Sequence, residues 1–459
     1  MFSRIFDVHY EDFQSWNWDQ IQPLVELLES AELTEENVVQ WLTARARLSE
    51  LVSEVYQRLY VGTTVNTADK ETEERFFAYL SDVMEPVSVA DQRLKQNLLA
   101  SGLEPAGYAT ILRGLRAEAE LFREENVPLL TEEEKLTNEF DKIIGAQTVE
   151  WEGEERTIPQ MNPLLLETDR GVRERAWTLR AQRQLADREA LNELWTRMLK
   201  LRIRIAENAG EPDYRAYQWK AYKRFDYTPE DCLRFHEAIE EVVVPAAQAI
   251  YEKRRRNLGV STLRPWDVDV DSLGRDALTP FGETESLIGR AETIFSQVDP
   301  QLGQYFADMR INSLLDLESR KNKAPGGYCT EFSYSRKPFI FMNAVGVHDD
   351  VQTLLHEGGH AFHVYEVDRL APYQRHEAPI EFCEVASMSM ELLAAPYLAE
   401  TKGGYYSDAD AARARVEHLE RDILFWPYMA VVDAFQHWVY THVDEAMDPL
   451  QCDAQWDMQ

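Results

Sequence analysis

A chain of 459 residues is too long for one ordinary hydrophobic core, so two or three subdomains with shared interfaces are expected. Its 48 Lys and Arg against 81 Asp and Glu leave a net charge of −33. A field of that sign opposes phosphate binding and excludes nucleic acid as a partner.

The first twelve residues include Arg4, Asp7, Glu11 and Asp12 and hold no apolar run fit for a secretory signal. From there nearly everything reads as helix. Start signals recur at Thr34-Glu35-Glu36, at Thr131 with Glu134, at Thr228-Pro229-Glu230-Asp231, and at Ser407 with Asp410. Each is a capping residue followed by an acidic first turn. Pro and Gly interrupt the pattern at Glu104-Pro105-Ala106-Gly107 and at Gly210-Glu211-Pro212. Asn126-Val127-Pro128 interrupts it again, and a boundary is placed there. An N-terminal helical domain takes 1–125 and a catalytic domain takes 126–459.

Strand signals are few. The segments 147–151 and 156–158 flank Gly153 as a hairpin would. A second pair joins Tyr328–Ser333 to Phe339–Asn343. In it, Phe339-Ile340-Phe341-Met342 is apolar without alternation, as in a strand covered on both faces. Asp267, Asp269 and Asp271 alternate, but Ser272 and Leu278 stand where a calcium loop needs Gly and Glu. They read as a solvated loop. The apolar stretch Ile423–Phe435 is broken by Pro427 and Asp433 and is too short to cross a bilayer. Cys232, Cys329, Cys383 and Cys452 form no C-x-x-C pair. That pattern fits free thiols in a reducing compartment, and a cytoplasmic location.

The chemistry concentrates after residue 347. From His348-Asp349-Asp350 onward, Val351, Leu354, Leu355, Phe362 and Tyr365 keep helical spacing. On that helix His356 and His360 stand at i and i+4, so both imidazoles leave one face. Two nitrogens so placed can share one tetrahedral Zn²⁺. Glu357, next to the first histidine, can reach a water at the metal as general base. Gly358 and Gly359 cost the helix ~1 kcal/mol each relative to Ala, yet they permit close backbone approach. A second helical stretch opens at Pro379-Ile380 and carries Glu381, Glu384 and Glu391 near one face. Its other residues are apolar nearly all round, so these carboxylates should be buried and paired with a cation. Any of the three can supply a third ligand from a second helix. Cys383 reads as a small buried residue.

The segments His356-Glu357-Gly358-Gly359-His360-Ala361-Phe362-His363 and Glu384-Val385-Ala386-Ser387 resemble the zinc metallopeptidases of the thimet oligopeptidase and oligoendopeptidase F group. The N-terminal helices are more similar to oligoendopeptidase F. The resemblance implies a mainly α fold, a small sheet whose edge strand lies beside the metal helix, and a deep cleft for short unstructured peptides. It implies one Zn²⁺ per chain, held by His356, His360 and Glu384, with Glu357 catalytic and metal-activated water as nucleophile. Glu381 and Glu391 would support the ligands. Lys323–Cys329 and Pro338–Asn343 look like the family's substrate-side hairpin, and Phe339–Asn343 is expected to pair with extended peptide backbone. Gly327, Tyr328, Phe341 and Asn343, with His363, are the expected substrate contacts. The family's catalytic domain normally continues past residue 459, so a C-terminal part that stabilises the reaction intermediate is expected to be missing. The alternatives are a metallocarboxypeptidase or dipeptidase, and a zinc- and peptide-binding chain with impaired catalysis.

Overall fold

The computed structural model describes residues 2–370 and 378–459. It is mainly α, with two small sheets. The first 120 residues pack their helices around Phe13, Trp41, Leu51 and Leu98. Trp41 keeps its indole satisfied inside that core by donating Nε1–H to Leu28 O at 2.9 Å. The helix α1 (Val38–Val65) then leaves this core and enters the second one, where Val61 is buried. Its last turn holds the sheet: Thr64 O accepts from Ala324 N–H at 2.9 Å, and Thr64 Oγ1 lies 2.6 Å from Tyr328 Oη.

Two of the expected helix starts fall elsewhere. The helix expected at Thr34 begins at Val38, and Asn37 Oδ1 accepts from Thr34 N–H. Thr131 is buried inside α2 (Val127–Gly145). Pro128 opens that helix instead of interrupting it, because the first turn needs no N–H from it. The hairpin is β1 (Thr148–Trp151) and β2 (Glu154–Thr157), in register Thr148 with Thr157. Thr228 starts α3 (Pro229–Leu258) through a reciprocal cap with Asp231. Asp267 and Asp271 correct the solvated-loop reading. Asp267 is fully buried and clamped by Arg170 and Arg173, and Asp271 is buried against Arg275 and Arg413.

The remaining elements build the site. They are α4 (Thr284–Val298), α5 (Pro300–Ile311), β3 (Leu315–Glu318), β4 (Tyr328–Phe332) and β5 (Lys337–Ala344), then α6 (His348–Asp368), α7 (Ile380–Ala394) and α8 (Asp408–Thr441). Strand order is β3-β5-β4, parallel then antiparallel. This corrects the expectation for Phe339–Asn343. β5 is the central strand, paired on both sides, so its backbone is not free for peptide. The four-residue β3 was too short to signal itself. Its partner makes the sheet's edge beside the site β4, not β5. Ser407 Oγ caps α8 by accepting from Asp410 N–H at 3.1 Å. Among the described residues no helix is long and apolar enough to cross a membrane.

Candidate metal centre

Capping and packing together fix the helix α6. Asp350 Oδ2 accepts from the N–H groups of Val345, Gly346 and Val347 at 2.7–2.9 Å. That satisfies donors at the helix start and places a carboxyl against the positive end of its dipole. Val351, Leu354, Leu355 and Ala361 are fully buried, each of the larger ones worth ~1.5–3 kcal/mol. The Phe362 ring meets Phe295 edge-on at 4.8 Å. The two glycines of the motif exist for close approach. A Cβ on Gly359 would stand 2.5 Å from Ser387 Cα of α7, and one on Gly358 would stand 2.6 Å from the Phe295 ring.

That close crossing delivers α7 to the histidines. Glu384 Oε2 lies 3.1 Å from His356 Nε2 and 3.6 Å from His360 Nε2. One donor atom from each of the three residues falls within 4.8 Å of the others. Ser387 Oγ donates to Glu384 Oε2 at 2.9 Å and so aims the carboxylate. Behind the ligands, Glu391 Oε1 lies 2.7 Å from His356 Nδ1, and His418 of α8 approaches the other Glu391 oxygen at 3.5 Å. A carboxylate on the far nitrogen fixes the ring's tautomer and leaves Nε2 free to ligate. Burial opposes charge on His356, but its hydrogen bonds to the Glu384 and Glu391 carboxylates outweigh it and carry its pKa up to about 10. Hydrogen bonds from His356 and His360 hold Glu384 far below the usual carboxylate range. The local field is built for positive charge.

Glu357 is different. It is buried, and burial raises its pKa against the pull of His356 and His360. Among the described residues its Oε2 has no hydrogen-bond partner. A buried carboxylate oxygen without a partner, beside three converging donors, fits a site that takes an ion and a reacting water. The residues present therefore fit a divalent metal.

The other expected site residues divide. The Gly327 backbone runs beside Glu357, where a Cβ would lie 3.7 Å from Glu357 Oε1. The Tyr328 ring stacks on Phe341 with centroids 4.8 Å apart. Phe341 is fully buried, and Asn343 donates Nδ2–H to Ala324 O and Gly326 O. Asn343 thereby braces the loop before β4, and Phe341 lies under the Tyr328 ring. His363 is half-buried near His360. Glu381 points away from the histidines to Arg224 and Tyr227, on the loop before α3. Of the α7 carboxylates only Glu391 is largely covered; Glu381 and Glu384 are exposed, as are Phe382, Val385, Leu392 and Leu393. That corrects the expected burial of the helix and of two of its three carboxylates. Cys383 is half-buried. Sequence reasoning missed the supporting residues Ser387, His418, Arg224 and Tyr227. Only Ser387, one turn from Glu384, carried a readable signal.

Two histidines from one helix, a carboxylate from a second and an adjacent buried glutamate make a donor set that fits a mononuclear metal centre. Residues 164–456, more than half of the chain, match the model of peptidase family M3, and the chain belongs to that family. It is 27% identical over 148 residues to "Oligoendopeptidase F, chromosomal" of Lactococcus lactis subsp. cremoris, a stretch covering 32% of this chain and 24% of the relative. It is 34% identical over 101 residues to "Oligopeptidase PepF" of Bacillus subtilis (strain 168), covering 21% and 15%. These matches thus span a quarter or less of the relatives' length. The fold superimposes on PZ peptidase A, solved with an inhibitor, at a TM-score of 0.89 and 27% identity, over 98% of this chain and 80% of that one.

Proposed function

We propose that the chain is a zinc-dependent endopeptidase that hydrolyses short unstructured oligopeptides. The observation that carries this reading is the convergence of His356, His360 and Glu384 donors within 4.8 Å beside the unpartnered Glu357 Oε2. Those three residues would hold one Zn²⁺. When bound, the ion supplies a Lewis acid toward the scissile carbonyl and makes water acidic enough to lose a proton near neutral pH. The chain's own residues do the rest. Glu391 keeps His356 in its ligating tautomer. Glu357 takes the proton of the attacking water and passes it to the leaving amine. The outer edge of β4, which pairs with no strand among the described residues, would accept extended peptide backbone with little side-chain preference. The partly exposed Glu384, at 51%, leaves the centre open to substrate. A cytoplasmic location and the division at 125/126 belong to the same proposal.

The test pairs metal analysis with turnover of an internally quenched peptide. The chain should bind about one Zn²⁺, as a single mononuclear site requires. His356→Ala, His360→Ala and Glu384→Ala should lose both metal and turnover, while Glu381→Ala keeps the metal. Metal retained by Glu384→Ala and lost by Glu381→Ala would overturn the ligand assignment.

A further inference from the structure

A second group of ligating side chains lies on the helix pair formed by α3 and α8. The helices run antiparallel. Lys253 meets Glu420 at 2.9 Å and His236 meets Asp433 at 2.7 Å, so numbers rise along one helix as they fall along the other. Cys232 and His236 are i and i+4 on α3, and Asp433 and His437 are i and i+4 on α8. Each pair leaves its helix from one face, and the two faces oppose. Cys232 Sγ, an Asp433 carboxylate oxygen and a His437 ring nitrogen lie within 4.8 Å of one another. His236 Nε2 reaches the same carboxylate, and its side chain is 15% exposed.

We propose that Cys232, Asp433 and His437, with His236 as support or fourth ligand, form a second site for a borderline divalent cation of the Zn²⁺ or Co²⁺ class. One sulfur with imidazole and carboxylate favours such an ion over Mg²⁺ or Ca²⁺, which take oxygen. A histidine–aspartate pair that serves only packing has no use for the thiol beside it. Binding releases the Cys232 thiol proton to solvent and leaves the thiolate on the metal. The ion joins helices whose ligands lie 197 residues apart, so it acts as a clip across the fold. One neighbour opposes it. Arg215 Nη1 lies 3.1 Å from His437 Nδ1. Donating there keeps the ring proton on Nε2, and its charge repels a cation. Arg215 must withdraw for His437 to ligate through Nε2.

The experiment is a Co²⁺ titration of the full chain carrying His356→Ala and His360→Ala, followed by absorption. Thiolate ligation gives a near-ultraviolet charge-transfer band. The first centre has no sulfur ligand and cannot give it, so the band reports this site whether or not the proposed peptidase reading stands. A band saturating at about one equivalent is expected. Cys232→Ser should abolish it, Asp433→Asn should weaken binding about tenfold, and Arg215→Ala should tighten it. Circular dichroism checks that each variant keeps its helix content. If the doubly substituted chain does not fold, the unsubstituted chain serves, because the band is specific to sulfur. No band in a folded chain, or a band that survives Cys232→Ser, would overturn the proposal.

Discussion

The helices α6 and α7 meet at the same metal donors but are held in opposite ways. α6 is surrounded, with its apolar positions at or near zero exposure and its N-terminus capped by Asp350. α7 is buried only at Ser387, Met390 and Ala394, while Phe382 is 64% and Val385 56% exposed. The two histidines are therefore set by the fold. Glu384 is set by a crossing that Gly359 permits and by Ser387, and the proposed ion would be its further partner. Pre-organisation in one helix and ligand-dependent docking in the other follow from that contrast.

The largest expected effect comes from taking the ion away. Chelation should expose amides of α7 to hydrogen exchange while those of α6 stay protected. Equal loosening of both helices would break the contrast. Next, Gly359→Ala puts a methyl where Ser387 Cα and Ala386 O already lie within 2.6 Å. Overpacking of that kind should cost ~3 kcal/mol in a thermal or denaturant melt and weaken metal binding with it. Wild-type stability in Gly359→Ala would mean the helices do not cross so closely.

Burial also makes the start of the surrounded helix acid-sensitive. His348 opens α6, its Nδ1 lies 2.7 Å from Tyr406 Oη, and burial takes its pKa down to about 4. The folded value lies below the ordinary 6.5, so between those values the unfolded chain binds the proton better. Stability from this residue is complete above pH 6.5 and is lost as pH falls toward 4. His348→Gln should remove ~3 kcal/mol of the stability change across that window, read from melts at several pH values. An unchanged slope would put the acid sensitivity elsewhere. The smallest effect belongs to Glu391→Gln. It keeps the packing but loses the charge behind His356, and Zn²⁺ affinity should fall about tenfold, read by competition with a chelator.

The site was more legible than the fold that carries it. The spacing of His356 and His360 is a local property of a helix, and the adjacency of Glu357 is a property of the chain, so sequence alone brought them together. Choosing Glu384 over Glu381 and Glu391 needed family likeness. All three share a face, and only the position of α6 separates them. Helix termini were readable where a side chain caps its own turn, as at Thr228 and Ser407. At Thr131 a polar residue buried mid-helix imitates a cap. The central place of β5 was hidden because β3, as Leu-Asp-Leu-Glu, has too few residues to reveal a period. Arg173 and Arg413 turned an expected solvated loop into buried ion pairs from sequence distances that no local pattern spans.

The most direct test of the central claim is the turnover of an internally quenched oligopeptide by Glu357→Gln, at zinc occupancy equal to that of the unsubstituted chain. Glu357 is buried beside the ligands without being one, so the variant should keep its zinc and its fold. Its turnover should drop by roughly 10²–10⁴-fold, the range of a lost general base. Undiminished turnover at equal zinc would contradict the assignment of Glu357 as the base, and with it the reading of this centre as hydrolytic.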